Sequence, residues 1–252
     1  MTWFAVLVGV AACHGSAPTP VAVPPGPALP TARIAIVGAS VSAGFGGTPF
    51  GDAFTQAARG SVIESQADVL LFRDPIGNSA KQIDAAIAFK ATTIVALDFL
   101  FWDVYGSPDP QWREQALAAG LAQLERARAS GAWVIVGDIP HVVTAAEWML
   151  PRSQVPDAPS LAALNAKIVA WTQGKDHVLF VPFASWAEPL AAGGEIEIAP
   201  GEKVPATSLV AVDGLHANAL GVWTLLDRLD RLIETSLPGT PKDALVFVRP
   251  KD

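Results

Sequence analysis

The stretch Ile34-Ala35-Ile36-Val37-Gly38-Ala39-Ser40-Val41-Ser42-Ala43-Gly44 reads as a buried strand that breaks sharply into a glycine-flanked serine. A β-branched apolar run followed by Gly-x-Ser suits a parallel strand feeding a tight turn. Open α/β folds bind ligands at the carboxyl edge of the sheet, and such a turn lifts the Ser40 hydroxyl out at that edge. A serine there is a candidate nucleophile if a histidine can reach it. The late segment Asp213-Gly214-Leu215-His216-Ala217-Asn218 supplies one.

Outward from this strand, apolar runs alternate with helix-like stretches. Strands are expected over Ile34–Gly38, over either Val62–Glu64 or Val69–Phe72, and over Thr93–Leu97, Trp133–Gly137 and Val178–Val181. Helices are expected over Asp52–Arg59, Ser79–Lys90 with Ser79 as N-cap, Pro110–Ser130, Ser160–Thr172 and Asn218–Ser236. That alternation argues for a parallel sheet covered by helices on both faces. The Glu/Ile alternation within Gly193-Gly194-Glu195-Ile196-Glu197-Ile198 breaks the rhythm and suggests a small two-stranded excursion ahead of Asp213.

Composition narrows the function classes. Hydrophobic residues make up 51% of the 252, enough for a substantial core, and the length after the leader fits one α/β domain. The net charge of −7, with no basic run, argues against nucleic-acid binding. No Gly-x-Gly-x-x-Gly follows a strand, no phosphate loop occurs, and no Cys/His cluster offers a zinc site. Asp98 and Asp103, five apart, are not enough for a metal site.

A serine hydroxyl needs a base to attack, and histidine is the side chain whose ordinary pKa suits that task. Ser40 is therefore the candidate nucleophile and His216 its base. Asp213, three residues earlier, is the candidate that holds the imidazole tautomer and stabilises the imidazolium. Of the other histidines, His14 falls in the proline-rich stretch before the domain and His177 in a surface turn. His141 lies at the carboxyl end of the fourth strand and is a candidate for the pocket wall or a satisfied loop residue. Phe99, Phe101 and Trp102 form an aromatic cluster, readable as core packing or as an apolar wall for a substrate.

Together the two segments resemble the SGNH (GDSL-type) hydrolases. The family's first motif, Gly-Asp-Ser-x-Ser-x-Gly, matches Gly38, Ser40, Ser42 and Gly44, with Ala39 where the aspartate would stand. Its last, Asp-x-x-His followed by a polar residue and a Gly, matches Asp213, His216, Asn218 and Gly221. The resemblance spans roughly residues 32–235. It implies a three-layer α/β/α, flavodoxin-like fold with a mostly parallel five-stranded sheet. It implies acyl transfer through a serine ester, with no cofactor, on small-molecule or glycan esters that include acetyl groups of envelope carbohydrate.

The same resemblance names oxyanion donors: the Ser40 N–H and, in Asp74-Pro75-Ile76-Gly77-Asn78-Ser79-Ala80, Gly77. The family's Gly-x-Asn-Asp after the third strand is missing from Val95-Ala96-Leu97-Asp98-Phe99-Leu100-Phe101-Trp102-Asp103. Asp98 could donate there only if protonated, and Asn78 is the alternative amide. Two further readings stay open, a catalytically silent SGNH-like domain that binds a ligand or glycan, and an O-acyltransferase.

Residues 1–13 form a signal-like segment. Thr2 to Ala12 is apolar and shorter than the roughly 20 residues needed to cross a bilayer. Val10-Ala11-Ala12-Cys13 resembles the lipobox of bacterial lipoproteins, which implies an acylated Cys13, membrane attachment and a place in the cell envelope. Residues 14–31, with Pro18, Pro20, Pro24, Pro25, Pro27 and Pro30, read as a semi-rigid polyproline tether, and 32–252 as the SGNH hydrolase-like domain.

Overall fold

A computed structural model describes residues 27–145 and 149–251. The segment with Cys13, and most of the proline-rich stretch, lie outside them. Five parallel strands form the central sheet: β1 (Arg33–Ile36), β2 (Val62–Ser65), β3 (Thr93–Ala96), β4 (Trp133–Gly137) and β5 (Val178–Val181). Their order is β2-β1-β3-β4-β5. The chain runs outward from β1 in both directions, so the crevice between the carboxyl ends of β1 and β3 is the topological switch point where such folds bind ligands.

Both faces of the sheet are covered because its strands are apolar on both sides. Ala35, Val37, Ile94, Ala96, Val134 and Val136 face one core. That core is closed by α2 (Pro75–Ala88), α4 (Pro110–Ala129), α5 (Ala158–Thr172) and the five-residue α3 (Phe101–Tyr105). Ile34, Ile36, Val95, Leu97 and Ile135 face the other, closed by α1 (Phe50–Ala57) and α7 (Ala219–Ser236). This alternation of two faces along continuous apolar strands is the signature of a buried parallel sheet. Between β5 and α7 lie α6 (Phe183–Ala192) and the antiparallel hairpin of β6 (Glu195–Ala199) and β7 (Glu202–Pro205). The hairpin buries Ile196 and Ile198 with Ala206 and Leu209 in a small satellite cluster.

Several boundaries differ from the sequence reading. The second strand is the Val62 candidate, while Leu71–Arg73 is a short 3-10 turn. Helix α2 starts at Pro75, because the Asp74 side chain caps it by accepting from the Gly77 N–H at 3.0 Å and Pro75 occupies the first helical position. Ser79 is therefore buried inside the helix and is not its cap. Likewise α5 begins at Ala158, with Asp157 accepting from the Ser160 N–H. Residues 27–31, read as the end of the tether, are packed against the domain. Leu29 is buried, its N–H donates to Thr240 Oγ1, and the Pro30 carbonyl accepts from Thr92 and Thr93.

Asp103 of α3 lies inside the first core, 1% exposed, against Gly120 of α4. Neither carboxyl oxygen has a hydrogen-bond partner among the described residues. Burial pushes its pKa well above the ordinary carboxylate value. The folded protein therefore holds the proton longer than the unfolded chain does. Its contribution to stability is complete below the unfolded-state pKa and is lost as pH rises through the folded-state one. Asp103→Asn removes that dependence. Relative to wild type it is expected to gain stability as the pH is raised from 5 to 8, on the order of 1–3 kcal/mol. Urea midpoints at several pH values measure this, and a wild-type-to-variant difference that does not change with pH would count against it.

Candidate active site

Three segments converge at the switch point. The first is the turn after β1. Gly38 adopts φ 147°, a conformation open to glycine, and the chain then folds back on itself. The Ala43 N–H reaches the Ala39 carbonyl and the Phe45 N–H the Ser40 carbonyl. This turn exposes the Ser40 hydroxyl at the sheet edge. The second is the His216 loop, which a bridge between Val210 and Ala217 closes into a hairpin. Asn218 accepts from the Gly221 N–H and so starts α7 directly after the loop. The third is the loop after β2, tied to the turn by the Asp68 N–H donating to the Gly38 carbonyl.

Ser40, His216 and Asp213 form one continuous line. Ser40 Oγ is 2.9 Å from His216 Nε2, and His216 Nδ1 is 2.8 Å from Asp213 Oδ2. The other oxygen, Asp213 Oδ1, accepts from the Leu215 and His216 amides at 2.9 and 3.0 Å. Burial raises the Asp213 pKa, but these hydrogen bonds outweigh it and hold the carboxyl below its ordinary value. Asp213 therefore stays ionised and can orient the ring with the proton on Nδ1, which leaves Nε2 free to accept from Ser40. The ring itself is buried, with Phe45 packed 4.5 Å from its centre.

The cavity beside this line holds about 460 Å³. Ser40, His216, Phe45, Val69, Leu70, Phe72, Trp102, Gly106, Met149, Gln154 and Leu215 line it. Phe45, Val69, Leu70, Phe72 and Met149 are among the exposed large hydrophobic residues of the protein. No Asp, Glu, Lys or Arg among the described residues lines the cavity. Among the described residues, no cluster of His, Cys, Asp and Glu could hold a metal ion.

Of the oxyanion candidates drawn from sequence, Gly77, Asn78 and Asp98 fall elsewhere. The Gly77 N–H is taken by the Asp74 carboxylate. Asn78 donates its backbone N–H to the Asp74 carbonyl, and its side-chain oxygen accepts from Lys81. Neither lines the cavity, because α2 begins early enough to enclose both in its first turn. Asp98 is adjacent but faces the other way. It is 4% exposed and accepts from the amides of Ala39, Val41 and Ser42 and from the Ser42 hydroxyl, so it is not a donor to an oxyanion.

Of the residues that line the cavity, Ser40, Val69, Phe72 and Trp102 have backbone amides that make no hydrogen bond among the described residues, and Ser40 and Val69 are the two that lie outside a helical turn. Val69 escaped the sequence reading because it sat within the rival placement of the second strand. With β2 at Val62–Ser65, the loop that follows must reach the switch point. His141 is also elsewhere. Its Nε2 lies 3.1 Å from the Pro156 carbonyl, beside a separate surface cleft. Of the aromatic cluster, Phe99 and Phe101 belong to the core, while Trp102 lines the cavity.

Neither a protein-family model nor a curated protein sequence matches the chain. Solved structures do. A Bacteroides fragilis protein assigned as an acylhydrolase superposes with a TM-score of 0.56 at 18% identity, covering 84% of this chain and 91% of that one. A GDSL-like lipase from Bacteroides thetaiotaomicron gives 0.51 at 15% identity, covering 82% and 90%. An α/β hydrolase from the metagenome of Lake Arreo in Spain gives 0.51 at 13% identity, covering 81% and 96%. With its five parallel strands, flanking helices and serine turn at the switch point, the chain has the fold of the SGNH/GDSL-type hydrolases.

Proposed function

We propose that this protein is a serine ester hydrolase acting through an acyl-Ser40 intermediate. The observation that carries the reading is the unbroken hydrogen-bonded line from Asp213 through His216 to Ser40. Ser40 Oγ attacks the ester carbonyl while His216 Nε2 takes its proton. The imidazolium is stabilised by Asp213. The tetrahedral oxyanion is held by the free amides of Ser40 and Val69. Collapse breaks the bond to the alcohol, whose oxygen receives the proton from His216. Water then enters, gives a proton to Nε2, attacks the acyl carbon and releases the acid, and the proton returns to Ser40.

The cavity lining favours an apolar acyl or aryl group over O-acetylated carbohydrate. Sugar hydroxyls set against Phe45, Leu70, Phe72 and Trp102 would be desolvated without partners. Each buried CH₂ contributes about 0.8 kcal/mol, so hexanoate esters, longer by four CH₂ groups, should exceed acetate esters in kcat/KM by about 200-fold when all four are buried, and by at least about tenfold when two are. A p-nitrophenyl ester series measures this, and acetate matching or beating hexanoate would remove the apolar reading. Attachment through an acylated Cys13 would hold the enzyme at the cell envelope, a proposal resting on residues 1–13 alone.

The test of the chemistry is labelling of the full chain with a fluorophosphonate beside Ser40→Ala. Labelling of wild type alone supports the hydrolase. A folded wild type that does not label favours the silent ligand-binding domain, for which the presence after β3 of Asp98, an acceptor, in place of the family's Asn is the supporting observation.

A further inference from the structure

The turn that carries Ser40 lacks a carboxylate of its own, since Ala39 stands at the motif's aspartate, yet a carboxylate holds it. Asp98 arrives from the end of β3, the strand paired with β1. Its Oδ1 accepts from the Ala39 N–H at 3.1 Å and the Ser42 hydroxyl at 2.5 Å. Its Oδ2 accepts from the N–H groups of Val41 at 2.9 Å and Ser42 at 3.1 Å. From the opposite side, Gln82 grips Gly38 by both backbone groups, at 2.8 and 3.0 Å.

Of the four consecutive amides from Ala39 to Ser42, Asp98 therefore takes three and leaves out Ser40. The Ser40 amide is the one of the four left without a partner among the described residues, and it belongs to a residue that lines the cavity. The peptide joining Ala39 to Ser40 also accepts from the Ala43 N–H at 2.9 Å, which polarises its own N–H as a donor.

We propose that Asp98 is the positioning residue of the oxyanion site, aiming the Ser40 amide while never touching the substrate. The assignment rests on the serine-hydrolase reading. It replaces a local carboxylate at position 39 by one delivered from the neighbouring strand. The group must be an acceptor on both oxygens, so the isosteric amide fails: Asp98→Asn sets an NH₂ against backbone donors.

The experiment uses the full chain and a hexanoate ester, with active sites counted by the burst of p-nitrophenol. Asp98→Asn is expected to lower kcat per titrated site by about 10²–10³-fold, as for loss of an oxyanion donor, with KM within about threefold of wild type. Merely structural damage would instead lower the titratable fraction or raise KM. Ser42→Ala keeps the carboxylate and removes one bond, and is expected to lower kcat per site about threefold to tenfold. It serves if Asp98→Asn does not fold. Wild-type kcat per site in a folded Asp98→Asn, or in Ser42→Ala where only that variant folds, overturns the assignment of Asp98 alone. So does a loss matched by KM or by the titratable fraction. A wild type with neither burst nor turnover overturns the serine reading and this assignment with it.

Discussion

Replacing Ser40 or His216 by Ala is expected to lower kcat by about 10⁶-fold, and Asp213→Asn by about 10⁴-fold. The reason is the single line of contacts between them. At 2.9 Å from Nε2, Ser40 Oγ can transfer its proton without any rearrangement, and with Nδ1 2.8 Å from Asp213 the ring has one productive tautomer. Because the three act as one unit, the Ser40→Ala/His216→Ala double variant should be no slower than either single variant. What survives is the contribution of binding and the free amides. Steady-state rates on a hexanoate ester, with folding checked by circular dichroism, measure all of this. A residual rate within tenfold of wild type in a folded Ser40→Ala protein would remove Ser40 as the nucleophile.

Gly38→Ala is expected to be nearly as damaging by a different route. The residue sits at φ 147°, which costs an L-side chain about 1–3 kcal/mol. Its new Cβ would overlap Asp98 Oδ1 and lie 2.8 Å from Ser42 Oγ, adding overpacking of about 1–3 kcal/mol. The two atoms it displaces belong to the network that holds the nucleophile turn. Stability and turnover should therefore fall together, with a lower melting temperature and a loss of rate at temperatures where the variant is still folded. An unchanged melting temperature would mean that the turn has more freedom than its hydrogen bonds imply.

The strand, the turn and the His216 loop were legible because each is a local pattern. Apolar runs of the right length marked four of the five strands and left two candidates for the other, and the Gly/Ser and Asp/His spacings marked the three residues that the structure brings into one hydrogen-bonded line. The misreadings have physical causes. Asp74-Pro75 is a helix-start signal, a capping side chain followed by proline at the first position, and it outranks Ser79. Overlooking it sent Gly77 and Asn78 to the oxyanion site, when the helix encloses both. Helix α3 is too short for its periodicity to register, and α6 carries Pro189 inside it. The role of Asp98 could not be read locally at all. It depends on β3 lying beside β1, a fact of the sheet rather than of any one segment. Leu29 was obscured by the prolines around it, though its contacts lie with Thr240 and the second core.

The Asp213–His216–Ser40 line joins two parts of the molecule with different anchorage. Ser40 grows from β1, an inner strand of a sheet buried on both faces. Asp213 and His216 hang from a loop braced by the satellite cluster of Ile196, Ile198, Ala206 and Leu209, with the Arg249–Glu202 pair at its margin. Proteins open in cooperative units, those with few buried contacts first. Fraying of the hairpin would carry the base and its acid away while the sheet and its serine stayed intact. Reversible loss of activity on warming would then precede global unfolding. On the proposed mechanism the serine would outlast its base, so the smallest core would set the temperature at which activity is lost.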